Sequence, residues 1–152
     1  MKGQGAKGHM AAPKLTRKAL QTLLRTEFPE MFSAESGYAL EKLWRGGARV
    51  RRHFHPKSLR PGGTVSGPTI MALADFTMYV AVLSAVGWVP LAVTTNFCIN
   101  FLRKPGPRDL LAQARLIKLG KRLAVGEIAI RSSGADELVA HATATYAIPV
   151  VQ

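Results

Sequence analysis

A chain of 152 residues, 47% of them hydrophobic, is long enough for one core and too apolar for general disorder. Lys and Arg number 21 against 9 Asp and Glu, and the formal charge of +12 implies an anionic partner or a strongly cationic surface. A lone cysteine, Cys98, excludes an intrachain disulfide and suits a reducing cytoplasm, where the protein is expected to reside.

Residues 1–13 are rich in Gly and Lys and are expected to be disordered, which leaves 14–152 as a single domain. No apolar stretch follows the basic start, so no signal peptide is expected. A literal G-x-G-x-x-G at Gly3-Gln4-Gly5-Ala6-Lys7-Gly8 lacks the preceding strand that a dinucleotide site needs, and it is set aside. Leu15, Leu20, Leu23, Leu24 and Phe28 predict a short amphipathic helix from Thr16 to about Phe28, ended by Pro29. Tyr38 to Arg45 and Ala48 to His55 read as two strands of a hairpin turning at Gly46-Gly47. The second strand puts Ala48, Val50 and Phe54 on one face and Arg49, Arg51, His53 and His55 on the other. With no carboxylate or cysteine near them in sequence, the two histidines are read as solvated, and no metal site is expected. A loop rich in Pro and Gly runs from Pro56 to Val65.

From Pro68 to Val89 comes the most apolar stretch, and inside it lies Asp75, the only acidic residue between Glu41 and Asp109. Ser66-Gly67-Pro68 reads as a helix start, and Gly87 with Pro90 ends the helix about 20 residues later. The run approaches the ~20 residues a membrane span needs, but a charge near its centre argues for a helix wrapped by protein, and no membrane partner is expected. A carboxylate in such surroundings costs several kcal/mol unless something compensates it. Desolvation also raises its reactivity, so Asp75 is where chemistry is expected.

After the helix, Val93, Thr95, Phe97, Ile99 and Phe101 alternate with Thr94, Asn96, Cys98 and Asn100, the pattern of a half-buried strand. Leu110 to Leu119 and Leu123 to Arg131 flank a tight Gly120-Lys121 turn. The last strand, Leu138 to Ile148, aligns Leu138, Ala140, Ala142, Ala144, Tyr146 and Ile148 on one face. So many inward alanines predict a sheet packed closely on a bulky element. The expected architecture is α+β, a curved antiparallel sheet wrapped around one long central helix.

Four groups of residues match a known pattern: Ser66-Gly67-Pro68-Thr69-Ile70-Met71-Ala72-Leu73-Ala74-Asp75; Val93-Thr94 with Asn100-Phe101-Leu102-Arg103; Gly120-Lys121-Arg122; and Val139-Ala140-His141-Ala142. Over roughly Tyr38 to Pro149 the chain resembles the hotdog fold, and specifically the thioesterases of the phenylacetate-degradation type. In that family a His-Gly-Gly opens the central helix, and an acidic residue nine positions after the His is the catalytic carboxylate. Here Ser66 stands at the His position, Pro68 at the second Gly, and Asp75 nine residues on; Arg60 stands where the family often has Asn.

The resemblance implies an acyl-CoA or aryl-CoA thioesterase. Asp75 is then the catalytic residue, acting as nucleophile or as general base on water. Gly67 is the backbone donor to the carbonyl oxygen, joined by the Thr69 N–H, and Ser66 is a further donor or a helix cap. Arg60, Thr69, Met71, Met78, Tyr79 and Thr94 are the expected substrate contacts. Arg103, Lys104, Lys121 and Arg122 are expected at the coenzyme A phosphates. No separate cofactor is implied, since coenzyme A is part of the substrate.

Gly67 and Asp75 are eight residues apart, ~12 Å along one helix at about 1.5 Å per residue. One helix cannot bring both to a single carbonyl, so each site is expected to join two subunits across antiparallel helices. A homodimer is the minimum, and a homotetramer fits the family. Hotdog dehydratases and hydratases need a catalytic histidine, and the position five residues after Asp75 is Val80. A hotdog protein that holds acyl-CoA without turnover is the alternative. Nucleic acid suits the charge, but neither a recognition helix nor interleaved exposed aromatics supports it.

Overall fold

The computed structural model describes residues 11–150. Disorder expected at residues 1–10 falls outside them, whereas residues 11–13 are tied down, the Ala11 carbonyl accepting the Arg45 N–H at 2.9 Å. Helix α1 (Arg17–Glu27) is capped by the Thr16 side chain and buries Leu20 and Leu24. Arg17 and Gln21 both donate to the Leu40 carbonyl at 3.2 Å, which fixes α1 on the first strand.

Strands β1 (Tyr38–Trp44) and β2 (Gly47–Arg52) form the expected hairpin, with Trp44 paired to Gly47. A Cβ at Gly47 would fall 2.0 Å from the Trp44 indole, so only glycine lets that ring lie across the turn. Strand β2 stops at Arg52, short of the expected His55, because the Phe54 N–H turns to Asp109 Oδ1 at 2.7 Å. The expected loop after it carries a 3-10 turn, Pro56–Ser58, and a two-residue ladder of β3 (Leu59–Arg60) with β4 (Thr64–Val65).

Helix α2 (Gly67–Val86) is apolar on every side, the composition of a helix enclosed by protein. It is long and apolar enough to cross a membrane, but 72% of its apolar window is buried inside the fold. Its interior polar side chains are satisfied locally: Thr77 Oγ1 donates to the Leu73 carbonyl at 2.7 Å, and Ser84 Oγ to the Ala81 carbonyl at 2.6 Å. Ser84 Oγ also accepts the Gly46 N–H at 2.9 Å, stitching the hairpin turn to the helix. Gly87, at φ +91°, ends α2 in a conformation that favours glycine.

Four long strands follow: β5 (Val93–Phe101), β6 (Leu110–Leu119), β7 (Leu123–Ser132) and β8 (Leu138–Ala147). They join the hairpin in one antiparallel sheet of order β1-β2-β6-β7-β8-β5, with α2 on its inner face. The fold class expected from the alternation is therefore present. Buried Ala112, Ala114, Ala124, Ala140, Ala142 and Ala144 let the sheet come close to the helix. At Gly126 the approach is tightest, since a Cβ there would meet Met78 Sδ at 2.7 Å.

The outer face of the sheet carries paired charges. Arg49 and Arg51 bind Glu41; Arg51 and His53 bind Asp109; Arg115 and His141 bind Glu127. The Phe54 N–H, with help from Arg51 and His53, holds the Asp109 carboxyl below its ordinary range. His53 thus has a carboxylate neighbour that is 56 residues away in sequence, and His55 accepts the Lys57 N–H at 3.0 Å to cap the 3-10 turn.

Candidate active site

Asp75 projects from the middle of α2 into a hollow of about 380 Å³ lined by Phe28, Met31, Tyr38, Ala72, Phe76, Tyr79, Pro90, Ala92, Val93, Thr94 and Tyr146. The wall is aromatic: Tyr38 stacks on Phe76 at 4.8 Å, Phe28 meets Tyr79 edge-on at 6.3 Å, and Tyr79 lies 6.2 Å from Tyr146. Two hydroxyls close on one carboxylate oxygen. Thr94 Oγ1 and the Tyr146 hydroxyl each donate to Asp75 Oδ1 at 2.7 Å, and the Tyr146 hydroxyl also reaches the Asp75 carbonyl at 3.0 Å. Oδ2 has no hydrogen-bond partner among the described residues. Burial pushes the Tyr146 phenol far above its ordinary value and Tyr79 up to about 12. Tyr38 is raised as well, by burial, with Arg52 opposing. All three phenols therefore stay protonated, and Tyr146 remains a donor, throughout the neutral range.

Gly67 lines a different and larger hollow, of about 550 Å³, with Arg60, Thr64, Val65, Pro68, Ile70, Phe101, Leu102, Arg103, Lys104 and Pro105. As the first residue of α2 its N–H has no acceptor within the helix, and the helix dipole adds positive potential there. Arg60, Arg103 and Lys104 surround it with cations, although Arg103 also pairs with Glu137 at 3.2 Å. Among the described residues none lines both hollows. Gly67 and Asp75 do not meet within one chain.

The other expected contacts are scattered. Ser66 Oγ accepts the Thr69 N–H at 3.4 Å and is bonded to Thr69 Oγ1 at 2.8 Å, so Ser66 caps the helix. That bond engages the Thr69 N–H expected at the carbonyl, and Thr69 itself lines a shallow hollow with Glu30, Ser36 and Arg52. Met78 lines neither hollow. It is fully buried against Gly126 of β7, because its place on the helix points under the sheet. Met71 is 41% exposed, on the ridge of α2 between the two hollows. Tyr79 and Thr94 do line the Asp75 hollow. Lys121 and Arg122 are not grouped with Arg103 and Lys104; they sit with Lys14 and Val86 at the far end of α2, ~28 Å along the helix from Gly67.

Tyr146 and Tyr38 are the site residues that sequence reasoning missed. Alternation already places Tyr146 on the inner face, as the one hydroxyl in a row of alanines. Its partner was hidden by a bulge. Between Thr94 and Asn96 the β5–β8 register shifts, so Thr94 pairs with Tyr146 whereas Phe97, Ile99 and Phe101 pair with Ala144, Ala142 and Ala140. Thr94 therefore joins the inner face, and the expected alternation of Val93 and Thr95 with Phe97 fails at that one extra residue.

A curved antiparallel sheet around one long buried helix, with a carboxylate at mid-helix, defines a hotdog-fold protein. Residues 62–139 match the model of the thioesterase superfamily. A candidate esterase of Saccharolobus solfataricus is 33% identical over 136 residues, covering 90% of this chain and 87% of that protein. Among solved structures, a candidate thioesterase of Silicibacter sp. TM1040 shares 42% identity at a TM-score of 0.82, covering 93% of this chain and 97% of that one. The phenylacetic acid degradation protein PaaI of Thermus thermophilus, solved as a variant, shares 27% identity at a TM-score of 0.70, covering 80% of this chain and 99% of that one. This chain belongs to the thioesterase superfamily, and with it to the thioester hydrolases.

Proposed function

We propose that this protein hydrolyses thioesters of coenzyme A, with Asp75 as nucleophile or as general base on water and the Gly67 N–H as donor to the carbonyl oxygen. The observation that carries this reading is the Asp75 carboxylate, anchored through one oxygen and open through the other, in a hollow of aromatic side chains. Apolar walls and a volume of about 380 Å³ suit a compact acyl or aryl group.

The catalytic unit is a homodimer. Two α2 helices running antiparallel would set Gly67 of one copy beside Asp75 of the other. The exposed ridge of Pro68, Met71 and Ala72 supports this, as does β5, whose outer edge has no strand beside it among the described residues. In that pairing the end of α2 beyond Asp75 overhangs the other copy's helix start by ~16 Å. Lys121 and Arg122 of one copy then approach Arg60, Arg103 and Lys104 of the other, and the coenzyme A phosphates dock between the two groups. Exposed Ile117, Leu119 and Leu123 supply apolar surface for two dimers to associate as a tetramer. A reducing cytoplasm suits the free, exposed Cys98.

The test is a panel of acyl- and aryl-CoA esters followed by release of the thiol. Wild-type protein should turn over at least one ester, and Asp75→Asn should lower that rate at least about a hundredfold with fold and oligomer intact. An Asp75→Asn variant near wild-type activity sinks the mechanism. Tight binding without thiol release by the wild type would favour an acyl-CoA-binding protein instead.

A further inference from the structure

We infer that Tyr146 and Thr94 are positioning residues, which hold the Asp75 carboxylate aimed so that Oδ2 alone acts on the thioester. This rests on the reading of Asp75 as the catalytic group. Both hydroxyls donate to the same oxygen at the same distance, 2.7 Å. They come from directly paired positions of β5 and β8, and the bulge after Thr94 is what turns its side chain inward. The Tyr146 hydroxyl is tied in addition to the Asp75 carbonyl at 3.0 Å, so it is referenced to the helix backbone as well as to the carboxylate.

Two donors on one oxygen fix the rotation of the carboxylate in the aromatic hollow and leave Oδ2 as its free oxygen. The titratable groups around Asp75 are Tyr38 from β1, Tyr79 from α2 and Tyr146 from β8, all held protonated, and Arg52 of β2 acts on the Tyr38 side. Among the described residues no other carboxylate lines the hollow. The hydroxyl pair is thus the local means of orienting the Asp75 carboxylate. With Oδ1 occupied, Oδ2 takes the proton of the attacking water while the water oxygen bonds to the carbonyl carbon. The C–S electron pair then leaves on sulfur, which receives that proton from Asp75. If Oδ2 bonds to the carbon directly, the same two donors fix its line of approach; the C–S pair leaves as thiolate, and water cleaves the resulting anhydride, which returns Asp75 and supplies the thiolate's proton.

The experiment compares kcat and KM for wild type, Tyr146→Phe, Thr94→Val, Thr94→Ser and Asp75→Asn, using an ester the wild type hydrolyses. Tyr146→Phe and Thr94→Val should each lower kcat about tenfold near neutral pH, with KM within about twofold, as for a lost hydrogen bond to a charged group. Thr94→Ser, which keeps the hydroxyl, should restore the wild-type kcat. Phenylalanine keeps the ring that packs on Tyr79, so a merely structural Tyr146 would leave kcat unmoved. An unchanged kcat in both Tyr146→Phe and Thr94→Val, beside an inactive Asp75→Asn, overturns the inference alone. An active Asp75→Asn overturns the reading of the site with it.

Discussion

The Ser66 hydroxyl is bonded to both the N–H and the hydroxyl of Thr69, one turn into α2. A side chain so engaged is a helix cap, and replacing a cap by alanine costs roughly 0.5–2 kcal/mol of stability. Ser66→Ala should therefore lower the unfolding free energy by about 1 kcal/mol while kcat/KM stays within about threefold of wild type. Chemical denaturation and thiol release measure the two effects separately. A hundredfold loss of rate at unchanged stability would instead make Ser66 a donor to the substrate. Asp75 was legible in the sequence because it stands alone among apolar residues. Its hydroxyl partners were not, since Thr94 lies 19 and Tyr146 71 residues away and only strand register brings them to one oxygen.

Among the elements, α2 and the sheet fit each other through small residues. A Cβ at Gly126 would lie 2.7 Å from Met78 Sδ, 2.8 Å from its Cε and 2.9 Å from the Arg115 carbonyl oxygen. The methionine can shift, but the carbonyl belongs to the neighbouring strand β6. Gly126→Ala should therefore destabilise the fold by about 1–3 kcal/mol, the usual cost of overpacking a close-packed core. Thermal unfolding would show this as a lower Tm, and an unchanged Tm would mean that β6 and β7 separate there at no cost. The inward alanines announced this close approach in advance, and so did the all-apolar helix. Helical spacing puts Met78 on the Asp75 side without saying how far the sheet wraps round; in the fold β7 covers it. Bulges were equally invisible, because each adds one residue without changing the composition of its strand.

For the whole molecule, the decisive fact is that Gly67 and Asp75 occupy separate hollows of one chain, ~12 Å apart along a single helix. If one copy supplies the donor and the other the carboxylate, two different inactive variants can complement each other. Asp75→Asn removes the carboxylate. Gly67→Val places branched carbon over the donor; even a bare Cβ there would stand 3.5 Å from the Phe101 ring, so the larger side chain blocks the approach to the N–H. A mixed dimer then contains one site with both groups intact and one site damaged twice. Random pairing on co-refolding makes about half of the dimers mixed, each with one working site of two, so about a quarter of wild-type activity should return. Circular dichroism and light scattering of each variant alone establish beforehand that both fold and pair. If they do, and the mixture remains as inactive as its components, the two hollows do not meet across a subunit boundary and the dimeric site is wrong.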